Sequence, residues 1–227
     1  VNDDGAGVAD VFAKLALELH EESSVEETVE AVLQFALQAV SCTHAGVALS
    51  HRRAKLETVA VTDPVVELSD QLQLECNEGP SLDVIAERDT VLVPDTMDEP
   101  RYPDWSAKVA TLGLRSVLSV RLAASGMLGV LQLFNTEPYA FESDDDEVAH
   151  ILSRHASVAL ANARQEASLW QAIDARKLVG QAQGILMERF DINSDQAFAV
   201  LRRYSQDHNI KLRDVAHRLI DTRTLPD

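Results

Sequence analysis

This 227-residue chain has only two cysteines, Cys42 and Cys76, with no CxxC pair and no histidine partner at metal-ligand spacing. That excludes a disulfide framework and a zinc-ribbon arrangement, and predicts two reduced thiols, one of them buried. No apolar run reaches the roughly 20 residues of a membrane-spanning helix. The opening residues, VNDDGAG, are acidic and lack the basic-then-apolar order of a signal peptide. A soluble, cytoplasmic protein with no membrane partner is expected. P-loop, GxSxG, HExxH and dinucleotide-binding patterns are all missing, so the expectation is a protein that is not an enzyme. The acidic run ESDDDE at 142–147 fits a helix N-terminus, where carboxylates favour the backbone dipole, better than a calcium loop. His44, His51, His150 and His155 are scattered and read as structural, with no metal and no identified cofactor.

Basic charge is scarce too: 20 Lys and Arg against 37 Asp and Glu, a net of −17. The imbalance is not uniform. Residues 1–171 hold 11 basic and 29 acidic residues, whereas residues 172–227 hold 9 and 8. A strongly acidic first part disfavours polyanions, but the last 56 residues are neutral and their arginines cluster. The chain divides near residue 172 on composition alone.

Along the first part, apolar residues at 8, 11, 12, 15, 16 and 19 have helical spacing. Ser24 and Glu27 form a capping box ahead of a second helix with the stripe Val29, Val32, Leu33, Ala36, Leu37 and Val40. The period then changes to that of strands. HAGVALS and LETVAVT, joined by HRRAK, read as a hairpin. Short helices are expected over 64–74 and 81–88, a strand at TVLVPD, an irregular loop at EPRYPDW, and a helical turn at 106–113 closed by Gly113. RSVLSVRLA and GMLGVLQLFN are the longest and most apolar strands, and belong at the sheet centre. From 144 to 174 the pattern is helical without interruption, with the stripe Ala149, Leu152, Ala156, Leu160, Ala163, Ala167 and Trp170. An alanine-rich stripe of this length pairs with a second copy, making a homodimer through a coiled coil at Leu160, Ala163, Ala167 and Trp170, or packs on the first helices of its own chain, or does both at once in a four-helix bundle with two helices per subunit.

The result is an α+β arrangement, an antiparallel sheet with flanking helices followed by a long connecting helix. Its order and its landmarks, NEGPSLD, VPD, LRSVLSVRL and GVLQLFN, resemble the GAF domain, a small-molecule sensor module. The resemblance implies a sensor domain over 8–143, a connecting and dimerisation helix over 144–173, and an unknown small-molecule ligand held between the sheet and its helices. Asp95, Trp105 and Cys76 fall near the loops that would cap such a pocket, without being assigned to it.

Three more helices are expected after residue 174. The first, 174–189, turns Leu178, Ala182, Ile185 and Leu186 inward. The second follows the cap Asn193, with Gln196 at N3, and buries Ala197, Phe198, Leu201 and Tyr204. The third, from Lys211, buries Leu212, Val215, Ala216 and Leu219. In the first, Gly180 and Gly184 share a face with Arg176, Gln183 and Met187. Each glycine costs about 1 kcal/mol against alanine in a helix interior. Two on one face admit another backbone closely, whether a neighbouring helix or a nucleic acid. Arg202, Arg203 and Gln206 project from the second helix, and Lys211, Arg213, His217 and Arg218 from the third, with Arg176 and Lys177 opening the first. Such residues suit phosphates and unpaired bases, or form a solvated face balanced by Asp207 and Asp214.

ARKLVGQAQGILMERF, SDQAFAVLRRYSQDHNIKLRDVAHRLI and their spacing are similar to the ANTAR domain, a bacterial RNA-binding three-helix module. Ala182, Gly184, Leu186 and Met187 match its first run, Ala197, Leu201 and Arg202 its second, and Leu212, Val215 and Ala216 its third. Many members carry lysine where this chain has Gln183, so one cation is missing from the implied RNA face. The resemblance implies an ANTAR domain over 174–224 that binds tandem stem–loops in nascent mRNA and prevents transcription termination. The implied contacts are Arg176, Lys177, Gly180, Gln183, Gly184, Arg202, Arg203, Gln206, Lys211 and Arg213. Two alternatives stay open: a helix-turn-helix contact with duplex DNA through the last two helices, which the resemblance disfavours, and a sensor that acts on a protein partner.

Overall fold

The computed structural model describes residues 24–50, 56–86 and 88–224. The helix expected over 8–20 and the hairpin loop at 51–55, which contains His51, lie outside the described residues. The chain divides into two compact units that meet in sequence between Arg164 and Gln165.

In the first unit, helix α1 (Val25–Ala39) starts where the Glu27 N–H donates to Ser24 Oγ at 3.1 Å, the Ser24 half of the expected capping box. Strands β1 (His44–Ser50) and β2 (Leu56–Val61) form the expected antiparallel hairpin. Helix α2 (Pro64–Cys76) is capped by Asp63, whose carboxylate accepts from the Val65 N–H at 2.8 Å, and ends at Asn77 in the left-handed region. Helix α3 (Pro80–Ala86), strand β3 (Thr90–Val93), a 3-10 turn (Thr96–Asp98) and helix α4 (Pro103–Thr111) follow. Strands β4 (Ser116–Ala123) and β5 (Met127–Asn135) complete a five-stranded antiparallel sheet of order β2-β1-β5-β4-β3.

Both faces of the sheet are covered, which explains why β4 and β5 read as near-continuous apolar runs. Leu118, Val120 and Leu122 of β4 and Leu131 and Leu133 of β5 pack with Val29, Val32 and Ala36 of α1 and with Ala149, Leu152, Ala156 and Leu160. Those last four belong to helix α5 (Ser143–Phe190). Val117, Val130 and Phe134 face the other way, toward Val66, Val84, Trp105 and Val109. The segment expected as an irregular loop at 99–105 already holds the first turn of α4. Pro103 occupies a first-turn position, where its missing N–H costs nothing. Trp105 is thereby placed inside the core, its Nε1–H donating to the Ser69 carbonyl at 3.2 Å and its backbone N–H to Glu78 Oε1 at 2.7 Å. Gly113 closes α4 with φ +85°, a conformation that side chains disfavour.

The expected break between a connecting helix and a separate first helix of the C-terminal bundle is not there. Helix α5 is one element of 48 residues. Residues 171–179, QAIDARKLV, contain no glycine, proline or capping signal that would end it. In the second unit, α5 is joined by helices α6 (Ser194–Asp207) and α7 (Leu212–Thr222). Asn193 and Gln196 form the expected reciprocal capping box at α6, with both bonds present at 2.9 and 3.0 Å. The core is Ala182, Leu186, Ala197, Leu201, Val215, Ala216 and Leu219. Phe198, expected inside, is 38% exposed, because it sits at the edge of the arc centred on Ala197 and Leu201. No helix among the described residues is long and apolar enough to cross a membrane.

The second sheet face carries a polar centre that strand alternation did not predict. Gln132 and Ser119 are cross-strand neighbours, both fully buried. Gln132 Oε1 accepts from Ser81 Oγ at 2.7 Å and from Gln73 Nε2 at 3.2 Å, and Gln73 Nε2 also reaches Asp70 at 3.1 Å. The Thr58 hydroxyl donates to the other Asp70 oxygen at 2.6 Å. Burial pushes the Asp70 pKa above the ordinary carboxylate value. The Thr58, Gln132 and Gln73 side chains oppose that shift, although Gln132 Nε2 closes no hydrogen bond of good geometry. A carboxyl whose folded pKa is raised contributes stability that is complete below its unfolded pKa and is lost as pH rises through the folded value. Asp70→Asn is therefore expected to be more stable than the parent at pH 7, with the gap in urea midpoint shrinking as pH falls. A constant gap would place the effect elsewhere.

Candidate functional site

The C-terminal part of α5 has two contrasting faces. Ala182 and Leu186 are fully buried, and Leu178, Val179 and Ile185 are partly so. At about 100° per residue, Gly180 and Gly184 lie roughly opposite that arc. Both glycines are exposed, and a Cβ added at either would meet no described atom within 4 Å. No helix among the described residues of this unit crosses them. Among the described residues no neighbouring helix packs on these glycines, and none repays their helix-propensity cost.

Around this face, Arg176 and Lys177 are exposed on the same helix, one turn before Gly180, and Met187 follows one turn after Gly184. On α6, Arg202, Arg203 and Gln206 are exposed, and Lys211 and Arg213 are exposed at the start of α7. Arg176, Lys177, Arg202 and Lys211 make no side-chain hydrogen bond or ion pair among the described residues. Arg203 meets Asp207, and Arg213 meets Asp214, each at 3.5 Å and in the open. Exposed pairs of this kind contribute about 0–1 kcal/mol and yield readily to a phosphate. With Arg218 and Arg223, whose side chains also lack a partner among the described residues, the neutral charge balance of this segment conceals six unpaired cations and two weakly held ones.

Gln183 is placed differently from its neighbours. Its amide nitrogen donates to the Ser194 carbonyl at 3.0 Å and contacts Ser194 Oγ at 3.1 Å. The side chain ties α5 to the first residue of α6, at the edge of the glycine face, and is half-buried. Ser194 carried no signal as its partner in the sequence. The capping residues Asn193 and Gln196 marked the helix start, not this cross-link.

Of the residues expected to mediate dimerisation, Leu160 is fully buried in the core of the first unit and Ala163 is nearly so. Ala167 and Trp170 are exposed, Trp170 at 58% with its Nε1–H on Glu166 at 3.3 Å. The ten consecutive residues 165–174 are all exposed, Leu169 and Ile173 among them.

The space between the sheet and α2, where a GAF-type ligand was expected, holds the Asp70, Gln73, Ser81 and Gln132 side chains. An open cavity of about 530 Å³ beside β2 reaches this network at Thr58 and Asp70, and Glu57 and Glu67 also line it. Asp95 is engaged by Arg115 at 2.8 Å, and that hydrogen bond holds its carboxyl below the usual range. Cys76 Sγ lies 3.3 Å from Lys108 Nζ. The Cys42 thiol is pushed up to about 12 by burial and by the Asp145 carboxylate, but Cys42 and Cys76 are both only partly buried, so neither is the fully buried thiol that was expected. Among the described residues, no group of three His, Cys, Asp or Glu side chains is placed to hold a metal ion.

Because no described atom occupies the space beside Gly180 and Gly184, alanine is accommodated at both. Gly180→Ala and Gly184→Ala are each expected to stabilise the second unit by about 1 kcal/mol, read as a higher urea midpoint. A loss of stability at either position would mean that the bare surface is used within the chain.

No curated protein matches the chain. Among solved structures, the free methionine-R-sulfoxide reductase of Neisseria meningitidis, in complex with its substrate, is 17% identical with a TM-score of 0.56, over 73% of this chain and 95% of that one. The GAF domain of a phosphoenolpyruvate-protein phosphotransferase from Coxiella burnetii is 16% identical with a TM-score of 0.59, over 73% and 99%. Its counterpart from Acinetobacter is 17% identical with a TM-score of 0.55, over 71% and 97%. At these identities the likeness is one of fold. Two family models match, GAF domain over residues 22–161 and ANTAR domain over residues 167–220. With more than half of its length in the first, the chain belongs to the GAF domain family and carries an ANTAR domain behind it.

Proposed function

We propose that this protein is a signal-responsive regulator that binds paired stem–loops in nascent mRNA through its ANTAR domain and prevents transcription termination. The observation that carries the reading is the bare glycine face, turned away from the bundle core and flanked by unpaired cations. Such a face lets a nucleic-acid backbone or an unstacked loop base approach the helix within van der Waals contact. Arg176, Lys177, Arg202 and Lys211 supply charge for the phosphates, with Arg203 and Arg213 available once their exposed pairs open. Gln206 offers an amide for base or sugar contacts. Gln183 acts by holding the start of α6 against the glycine face, so the loss of a lysine there is a loss of charge but not of architecture.

In this reading the protein acts as a homodimer. Ten exposed helical residues that include Leu169, Trp170 and Ile173 form a surface suited to a parallel helix from a second copy. The seam is centred on these residues and Ala167. Leu160 and Ala163 serve the core of their own unit instead. Two copies would present two ANTAR domains to two stem–loops. The GAF domain is the input, and the chain performs no catalysis.

The test is a titration of the full chain with a tandem stem–loop RNA, using duplex DNA of matched length as competitor. RNA binding is expected to weaken roughly a hundredfold between about 50 and 200 mM salt for about four phosphate contacts, with duplex DNA failing to compete. Gly184→Arg, and Gly184→Leu as the uncharged control, should abolish RNA binding with the helical content unchanged. RNA affinity equal to that for DNA, or unaltered binding by both variants, would contradict the proposal.

A further inference from the structure

The turn between α6 and α7 holds an aromatic pair that the proposed contacts do not use. The His208 ring stacks on the Tyr204 ring, with centroids 4.0 Å apart and planes 11° from parallel. Tyr204 itself packs against the core of the bundle. His208 is exposed, and no second ring contact covers it among the described residues. The imidazole thus has one face backed by the bundle and is open on its other side.

Its orientation is fixed. The Tyr204 carbonyl lies 3.0 Å from His208 Nδ1, and because a carbonyl only accepts, Nδ1 carries the proton. Nε2 has no partner among the described residues. The backbone around the ring is equally tied. The same carbonyl accepts the His208 N–H at 3.2 Å, the Ile210 N–H donates to the Ser205 carbonyl at 3.0 Å, and Ser205 Oγ donates to the Ile210 carbonyl at 2.6 Å. Asn209 takes the left-handed conformation, φ 51°, which asparagine tolerates better than most residues. An exposed side chain ordinarily gives up rotamer freedom when it binds, and this ring has given it up already. Lys211, three residues on, is exposed, and no described group engages its ammonium.

We infer that His208 is a base-stacking residue: its open face receives an unpaired base of an RNA stem–loop, and Lys211 holds a neighbouring phosphate. The inference rests on the proposed RNA reading and adds to it the part of the ligand that is read, a loop base rather than the stem. Bases in a stem stack on one another and offer no free face. A splayed loop base does, and imidazole is among the rings that accept it. The cations around the glycine face do not make this distinction, because stem and loop carry the same phosphates. A ring kept only to shield Tyr204 would affect stability and not RNA affinity, which makes the two roles separable.

The experiment titrates the full chain with the tandem stem–loop RNA, and with versions that carry an abasic nucleotide at each unpaired loop position in turn. His208→Ala is expected to weaken binding of the intact RNA about tenfold with helical content unchanged, and His208→Phe to keep the parent affinity. One abasic position should weaken parent binding by about the same factor and cost His208→Ala nothing further. No binding of the intact RNA by the parent would remove the proposed function and this inference with it. Parent binding that neither His208→Ala nor any abasic position weakens overturns the stacking role alone. So do losses that add in full, or a loss in His208→Ala that His208→Phe does not restore.

Discussion

Helix α5 carries two unrelated obligations on one uninterrupted backbone. Over its first turns, Ala149, Leu152, Ala156 and Leu160 close the core beneath the sheet. Near its end, Ala182 and Leu186 are the seat on which α6 and α7 pack. Remove either stripe and the corresponding unit loses a wall. A bundle of about 50 residues has little core of its own, and its single layer of alanine, leucine and valine is organised around those two side chains. Alanine alternates with leucine in both stripes, so neighbouring elements approach closely at each alanine while the leucines fill the core. This leaves the opposite surface of α5 free of structural duty, and that freedom makes the glycine face available for a partner.

The same logic separates what was legible in the sequence from what was not. The five strands were legible because each short valine-rich run is bounded by glycine, proline or a polar turn. The capping pair Asn193 and Gln196 announced α6 for the same local reason. Trp105 was hidden, because two prolines nearby suggested an irregular loop and one of them instead begins a helix. The single span of α5 was hidden by the compositional change near residue 172, which marks a domain boundary without a break in the backbone. Leu160 and Ala163 followed the correct helical period, but periodicity states that a face is buried without naming what buries it. Gln132 carried a readable signal, a lone amide inside a buried strand, whose partners Gln73 and Ser81 emerge only from the tertiary fold.

For the proposed nucleic-acid surface, the sequence offered candidate residues, and the structure separates those with partners from those without. Arg176, Lys177, Arg202 and Lys211 are unpaired, Arg203 and Arg213 are lightly paired, and Gln183 is committed to Ser194. Two exposed glycines in mid-helix are a cost to folding, and no described residue uses the surface they leave bare. A GAF domain with its interior filled by Asp70, Gln73 and Gln132 is compatible with sensing at its periphery, where open cavities lie beside β2 and between β4 and α5.

On the proposed function, RNA held by this protein keeps transcription going. The direct measurement is single-round transcription of a template that carries tandem stem–loops ahead of a terminator, with and without the full chain. The account predicts that readthrough rises with protein concentration and that the rise disappears when the loop sequences are scrambled. Termination that stays constant at concentrations saturating the RNA would contradict it.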